Sequence, residues 1–411
     1  MANNVWFETV TEMAKQVGPT VFTLGHPIPA GLAVAVALGY SQPGDGGGGL
    51  FYWDASSEAQ PDNGTIFAVP LHEFGRWIRL DSGSLNVLWF GADRSGRTDS
   101  TAAFAAAIAA AALVNGQTIL IPAGSYRVNN LSITSNNIHL QGAGKSGAPS
   151  DTCPSPAGGT QIIFANGNFP GFTIIKDTLS IRDITFVTQG SGPAIRLERF
   201  QPDSETTCLC SNKIIEGCSF VGCSGGAISS DDNLVNIVLR DCLFASNPAG
   251  SNPVVLLTGG NSTTIYVENC YFSNNQNDPS GVALQLGALD ICHVRNCIIE
   301  SSGTAIRLDN ESGCIIEGCH FEVSVASHTI DQTLGSPAET PGLIQINGCS
   351  FSKGATQSPI IDLPDAKTVE VSNCHFNGYS NSDQLLPGTL AGKVRLAGNY
   401  SEDASFNSQL S

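Results

Sequence analysis

IIEGCSF (214–220), VLRDCLF (238–244), YVENCYF (266–272), HVRNCII (293–299), IIEGCHF (315–321), QINGCSF (345–351) and EVSNCHF (370–376) are one phrase written seven times. Their cysteines, Cys218, Cys242, Cys270, Cys297, Cys319, Cys349 and Cys374, follow one another at 24, 28, 27, 22, 30 and 25 residues, an average of 26. Such a period is that of a solenoid, whose units are too small to bury their own apolar face and bury it by stacking on one another. Within the phrase the residue before Cys is Gly217, Asp241, Asn269, Asn296, Gly318, Gly348 or Asn373. These types tolerate a positive φ, so a tight left-handed corner is predicted there. An aliphatic residue two positions earlier (Ile215, Leu239, Val267, Val294, Ile316, Ile346, Val371), the Cys itself, and the Phe or Ile two positions later then point inward at the strand period of two.

A second strand family lies between the phrases: AIRLE (194–198), AISSD (227–231), VVLLT (254–258), ALQLG (283–287), AIRLD (305–309) and IIDLP (360–364). Three short strands in each turn of about 26 residues describe an all-β fold, a parallel β-helix. The outward residue just before each corner reads Arg182, Glu216, Arg240, Glu268, Arg295, Glu317 on successive rungs. Parallel strands sit about 4.8 Å apart, so every charge faces opposite charges above and below. The alternation reads as an ion-pair ladder that fixes rung register.

With 13 cysteines the chain could carry a disulfide framework or a metal site. The spacing of the seven suits neither; a column of small apolar thiols filling a narrow interior does. The close pairs Cys208/Cys210, Cys292/Cys297 and Cys314/Cys319 lack the spacing of zinc ligands, so no metal and no cofactor are expected. Free thiols agree with folding in a reducing cytoplasm.

Charged residues make up 13% of the chain and glycines number 45, a balance unlike that of a helical bundle. The formal charge of −17, from 36 acidic and 19 basic residues without a basic run, excludes a nucleic-acid partner and an anionic membrane surface. No apolar run reaches a membrane span, and the start, Met1-Ala2-Asn3-Asn4, has no signal-peptide pattern.

Outside the repeat, residues 1–82 hold Trp6, Trp53 and Trp77 and read as a separate module. Residues 83–117 read as a linker and a helix that covers the open N-terminal end of the solenoid: Ser100 as N-cap, Phe104, Ile108 and Leu113 on one face, Gly116 as the stop. The shaft is expected over 118–400, as about 11 rungs and a rod about 50 Å long. Residues 401–411, polar and short, read as a tail.

The runs GYSQPGDGGGGLFYWDA (39–55), DNGTIFAV (62–69), GRWIRL (75–80), LNVLWFGADRSGRTDSTAAF (85–104) and TILIPAGSYRV (118–128) resemble the N-terminal half of phage tailspike and capsule-depolymerase proteins of the pectate-lyase-like superfamily. The resemblance covers residues 1–130 by motif and the remainder by repeat style. It implies a right-handed β-helix assembled as a homotrimer. The module 1–82 would attach to phage tail or adaptor proteins, and the shaft would bind, and in many members cleave, a host-surface polysaccharide. The protein would then be made in the host cytoplasm and reside in the virion tail.

Glycoside hydrolysis needs two carboxylates, a few ångströms apart. With Ile195/Leu197 and Ile228/Ser230 inward, Glu198 and Asp231 project outward from equivalent positions of neighbouring rungs, and Asp309 continues their column three rungs on. These three are the candidate catalytic residues. Arg196, Ser229, Asp232, Gln285 and Arg307 flank them as candidates for binding sugar hydroxyls or carboxylates. Solvated edge carboxylates are the plain alternative. SSDDN (229–233) is similar to the paired aspartates of polygalacturonases, but the Gly-His-Gly and Arg-x-Lys motifs that should follow are absent. Hydrolysis is preferred over a lyase built on Arg307 and Asp309. A non-cleaving adhesin and a cellular polysaccharide-modifying enzyme remain the alternative functions. The rungs carry no tryptophan, and Tyr266, Tyr271 and Tyr379 are the aromatics expected to offer a stacking face.

Overall fold

The computed structural model describes residues 4–15, 34–81, 83–145, 158–164, 167–199, 210–247, 252–259, 262–275, 281–287, 291–301, 303–309, 313–323, 328–332, 342–354, 359–364, 366–380, 383–386 and 393–410. Three sheets, of 12, 12 and nine strands, run the length of a parallel β-helix. From Asp183 to Gly348 each turn passes from a strand of the first long sheet, through one left-handed residue, into the second long sheet, and then into the short nine-stranded sheet. The corner residues Asp183, Gly217, Asp241, Asn269, Asn296, Gly318, Gly348, Asn373 and Gly398 all have φ between 52° and 67°. Only glycine and short polar residues enter that region cheaply, which is why the phrase admits Gly, Asn and Asp before Cys.

Stacking turns into side-chain columns. All seven phrase cysteines are free and buried, each thiol donating to backbone carbonyls, as Cys242 Sγ does to Arg240 at 3.2 Å and Ile215 at 3.5 Å. Burial, first among the causes, holds the Cys218 thiol well above its ordinary value, which disfavours the thiolate a metal would need. Cys208, one of the sequence's close pair, lies outside the described residues. Beside the thiols, Phe186, Phe220, Phe244 and Phe272 stack face to face, as do Phe321, Phe351 and Phe376, with centroids 4.5–5.1 Å apart. Each buried ring contributes about 1.5–3 kcal/mol by leaving water. The outward ladder is paired at four of its five steps, Arg182–Glu216 at 3.3 Å, Arg240–Glu216 at 3.8 Å, Arg240–Glu268 at 3.2 Å and Arg295–Glu317 at 3.7 Å, while Glu268 and Arg295 are in register without an ion pair among the described residues.

Among the buried polar side chains, Lys213 carries a charge into an inward column. The inward column Ile138, Leu179, Lys213, Ile237, Ile265 contains a lysine that is 0% exposed. Its Nζ reaches back to the Ser211 carbonyl at 3.0 Å and to Asp177 at 3.7 Å. Asn212, at φ 53°, makes the local bend that turns Lys213 inward.

Both ends differ from the sequence expectation. The strands Leu85–Asn86 and Ser95–Asp99 pair with Thr118–Ile121 and Gly124–Val128, so coil begins before residue 118 and the helix Thr101–Leu113 is an excursion from it. Phe104 and Ile108 of that helix are buried against the first turns, whereas Leu113 is exposed. The Ser100 hydroxyl is spent on the Asp93 amide at 2.9 Å rather than on a helix cap. At the far end, the stretch expected as a tail packs onto the core: Phe406 and Leu410 are buried, with Phe406 5.7 Å from Tyr379. An open solenoid end exposes its stacked interior, and these two side chains cover part of it, while Val394, in register with the buried Val369, stays exposed.

The N-terminal module is a five-stranded sheet. Its strands are β1 (Asn4–Phe7), β2 (Val34–Ala37), β3 (Gly49–Asp54), β4 (Ile66–Ala68) and β5 (Arg76–Arg79), in the order β1-β2-β3-β5-β4. Phe51, Trp53, Phe67 and Trp77 pack on one face with Val10 and Met13 of a one-turn helix. The Arg79 guanidinium lies over Phe51 and Trp89, 4.5 and 4.6 Å from their centroids, joining the module to the start of the coil.

Candidate active site

The outer face of the short sheet is where the carboxylates gather. Its register sets Thr173, Arg196, Ser229, Leu256, Gln285, Arg307, Asp331 and Asp362 in one outward column. Glu198 and Asp231 flank the Arg196 end of that column. Arg196 binds both: its Nε donates to Glu198 Oε1 at 2.7 Å and its Nη2 to Asp231 Oδ1 at 2.8 Å. The two acids are thus neighbours, with the guanidinium occupying the space between them. A sugar could place its reacting carbon there only by displacing Arg196.

The other candidates are distributed along the same face. Asp232 is not turned toward a ligand: it meets Arg199 Nε at 3.2 Å and accepts from the Arg199 amide at 3.1 Å, bracing the loop that follows the strand. Ser229 Oγ is buried and has no hydrogen-bond partner among the described residues. Asp309 stands apart from the pair, its Oδ2 accepting from Gln285 Nε2 at 2.6 Å and its Oδ1 buried without a partner among the described residues.

Arg307, expected to bind substrate, is a protein partner. Its Nε and Nη2 donate to Asp331 Oδ1 and Oδ2 at 2.8 and 2.7 Å, and Thr304 Oγ1 adds a bond at 3.1 Å. Asp331 is 8% exposed, and the bidentate fork offsets the cost of burying its charge. One rung on, Asp362 lies in register with Asp331 and 3.6 Å from His328 Nε2; His328 Nδ1 contacts the Pro359 carbonyl at 2.7 Å. Asp331, Asp362 and His328 were missed in the sequence. Asp331 lies on a strand of three residues, Ile330–Gln332, and Asp362 on one of two, Ile361–Asp362; the only available signal was the outward position of Asp362 within IIDLP.

Aromatic platforms are few. Tyr379 is buried, contrary to expectation. Tyr266 stacks on His293 with centroids 5.2 Å apart, and Tyr271 donates to Glu300 Oε2 at 2.8 Å, both on the long sheets. No group of three or more metal-binding side chains occurs among the described residues.

Comparison with known proteins agrees with this architecture. Residues 84–329 match the family described as rhamnogalacturonase A/epimerase, pectate lyase-like, and residues 26–82 match the phage tail protein small four-stranded beta-sheet domain. The latter range contains β2 to β5. No curated protein matches the chain. Among solved structures, the tailspike protein of Acinetobacter phage vB_ApiP_P1 superposes with a TM-score of 0.69 at 16% identity, over 98% of this chain and 71% of that one. The gp42 tailspike of Acinetobacter phage vb_AbaP_AS12 gives 0.62 at 11%, over 98% and 75%. Tailspike gp49 of Acinetobacter baumannii bacteriophage Fri1, a capsular polysaccharide depolymerase, gives 0.55 at 13%, over 97% and 76%. With a coil that matches over most of its length and a tail-type sheet ahead of it, the chain belongs to the pectate-lyase-like rhamnogalacturonase A/epimerase family and has the fold of phage tailspikes.

Proposed function

We propose that the chain is a phage tailspike, a virion tail component that recognises and degrades a host-surface polysaccharide. The observation that carries this reading is the joining, in one chain, of a phage-tail sheet domain to a β-helix with outward carboxylates on one face. In this reading the module anchors to tail or adaptor proteins. Its outer face supports that role: Trp6, Val36 and Leu50 lie in register across β1–β3, and Trp6 is 65% exposed on a water-facing apolar row. Three copies of the chain would form the spike.

Cleavage would use Glu198 and Asp231 as the acid/base or nucleophile pair, with Asp309 in the same column. Arg196, Ser229, Asp232, Gln285 and Arg307 would line the path of the sugar, Asp232 and Arg307 by supporting it from behind. Arg196 leaving its carboxylates for a sugar hydroxyl would be the step that arms the pair. One specific observation favours a second reading, a non-cleaving adhesin: Glu198 and Asp231 are both already bound to Arg196. Incubation of the purified protein with host-surface polysaccharide, followed by a reducing-end assay, separates the two. For the depolymerase, Glu198→Gln and Asp231→Asn each lower turnover about 10²–10⁴-fold with the fold retained. Unchanged turnover in both removes the pair, and no reducing ends from the parent protein establishes the adhesin.

A further inference from the structure

A groove of about 520 Å³ lies on the outer face of the first long sheet, across its early rungs. It crosses the strands Thr118–Ile121, Ile138–Gly142, Leu179–Arg182, Cys210–Glu216 and Leu234–Arg240, consecutive in the sheet. At the parallel strand spacing that is about 20 Å of length. The sequence creates it by two local departures from the regular coil. Ser180, small and buried, lies between His139 and Ile214 in the outward column and makes the floor dip. Asn212 and Asn236, at φ 53° and 56°, interrupt the register between Ser211–Val235 and Lys213–Ile237 and stand up as a wall, Asn236 Nδ2 donating to Asn212 Oδ1 at 2.9 Å.

The lining mixes apolar surface, from Ile214 among others, with neutral polar groups, and Arg182 is its one charged side chain. His139 Nδ1 and Ser180 Oγ are 2.8 Å apart, and burial, with Arg182 beside it, holds the imidazole below its usual range, so His139 is neutral at pH 7. Gln141 takes the place that a glutamate would hold in the charge ladder. Arg182 is therefore the ladder's end: Arg240 has Glu216 and Glu268 within ion-pair distance, whereas Arg182 pairs among the described residues with Glu216 alone, through Nε. Its side chain is 45% exposed at the groove.

We propose that this groove is a second saccharide-binding site, taking an anionic sugar unit against Arg182, on a face separate from the carboxylates of the short sheet. Amides of Asn212 and Asn236, the Ser180 hydroxyl and neutral His139 offer both donors and acceptors to sugar hydroxyls, and Ile214 supplies an apolar strip. The site would hold the polysaccharide while another stretch of it meets Glu198 and Asp231, and so it rests on the tailspike reading.

Calorimetric titration of the full chain with oligogalacturonate, and with the same oligomer after carboxyl reduction, tests it. The charged oligomer binds the parent protein. Its affinity falls about tenfold on carboxyl reduction, in Arg182→Gln and in Asn236→Asp, the loss expected for one charge-assisted bond. Arg240→Gln, in the same ladder but outside the groove, leaves it unchanged. Equal binding of both oligomers, or indifference to both groove substitutions, overturns the site. Host-surface polysaccharide titrated in parallel separates the two readings: if it binds while oligogalacturonate is ignored, the groove proposal fails and the tailspike stands. If neither binds, both fall.

Discussion

On the first long sheet Glu216, Arg240, Glu268 and Arg295 each lie between two residues of opposite sign, whereas on the short sheet the same parallel register puts Asp331 beside Asp362 and Arg196 beside Ser229. Both faces belong to the same turns and obey the same strand spacing, so the contrast is not one of geometry. Alternation is the arrangement a stack adopts when only register is at stake, because exposed pairs add about 0–1 kcal/mol each. Adjacent acids in register work against the stack: Arg307 grips Asp331 in a two-bond fork, and on the second long sheet Glu300 stands beside Glu322 with Tyr271 donating to Glu300. In a solenoid, the place to look for chemistry is where the column rule is broken.

Arg307→Ala is the strongest way to break that contrast. It strands the Asp331 carboxylate in a nearly buried position and should cost about 3 kcal/mol in denaturant unfolding. A change under half of that would mean that Asp331 is solvated after all and that the two faces are energetically alike. Glu216→Lys, which puts three cations in file at 182, 216 and 240, should cost about 1–2 kcal/mol at low salt. Raising the salt should recover most of it; a loss independent of salt would show that packing, not charge, sets the ladder. Lys213→Met tests the rule from inside the coil: an apolar side chain of similar length removes a buried charge and should raise stability by about 1 kcal/mol. A drop instead would show that the Ser211 and Asp177 contacts hold the bend at Asn212. Smallest of all, Arg240→Ala should change unfolding by under about 1 kcal/mol, because its side chain is 42% exposed and Glu216 keeps Arg182 as a partner.

The coil itself was legible because one phrase fixes three things at once. The left-handed residue marks the corner, the thiol and ring mark the interior, and the residue before the corner marks the outside, so the charge ladder could be read rung by rung. Glu198 and Asp231 were placed as neighbours by the same logic. What the sequence could not carry was the Arg196 side chain lying between them, since strand parity sets a direction and not a partner. Asp331 escaped because Ile330–Gln332 follows its neighbouring strands through segments of unequal length and contains no repeat phrase. Lys213 escaped for another reason: a single left-handed asparagine ahead of it reverses which residues face in. At the ends, composition misled, because two apolar residues, Phe406 and Leu410, matter more to a cap than the polar ones around them.

The row of one-residue corners has a consequence for how such a shaft can change over generations. Cutting at Asp241 and again at Asn269 removes one full storey, and the ring and thiol on either side of the seam still meet a ring and a thiol. Length can thus be edited by whole storeys, leaving the N-terminal module untouched while the outer faces of the coil are rearranged.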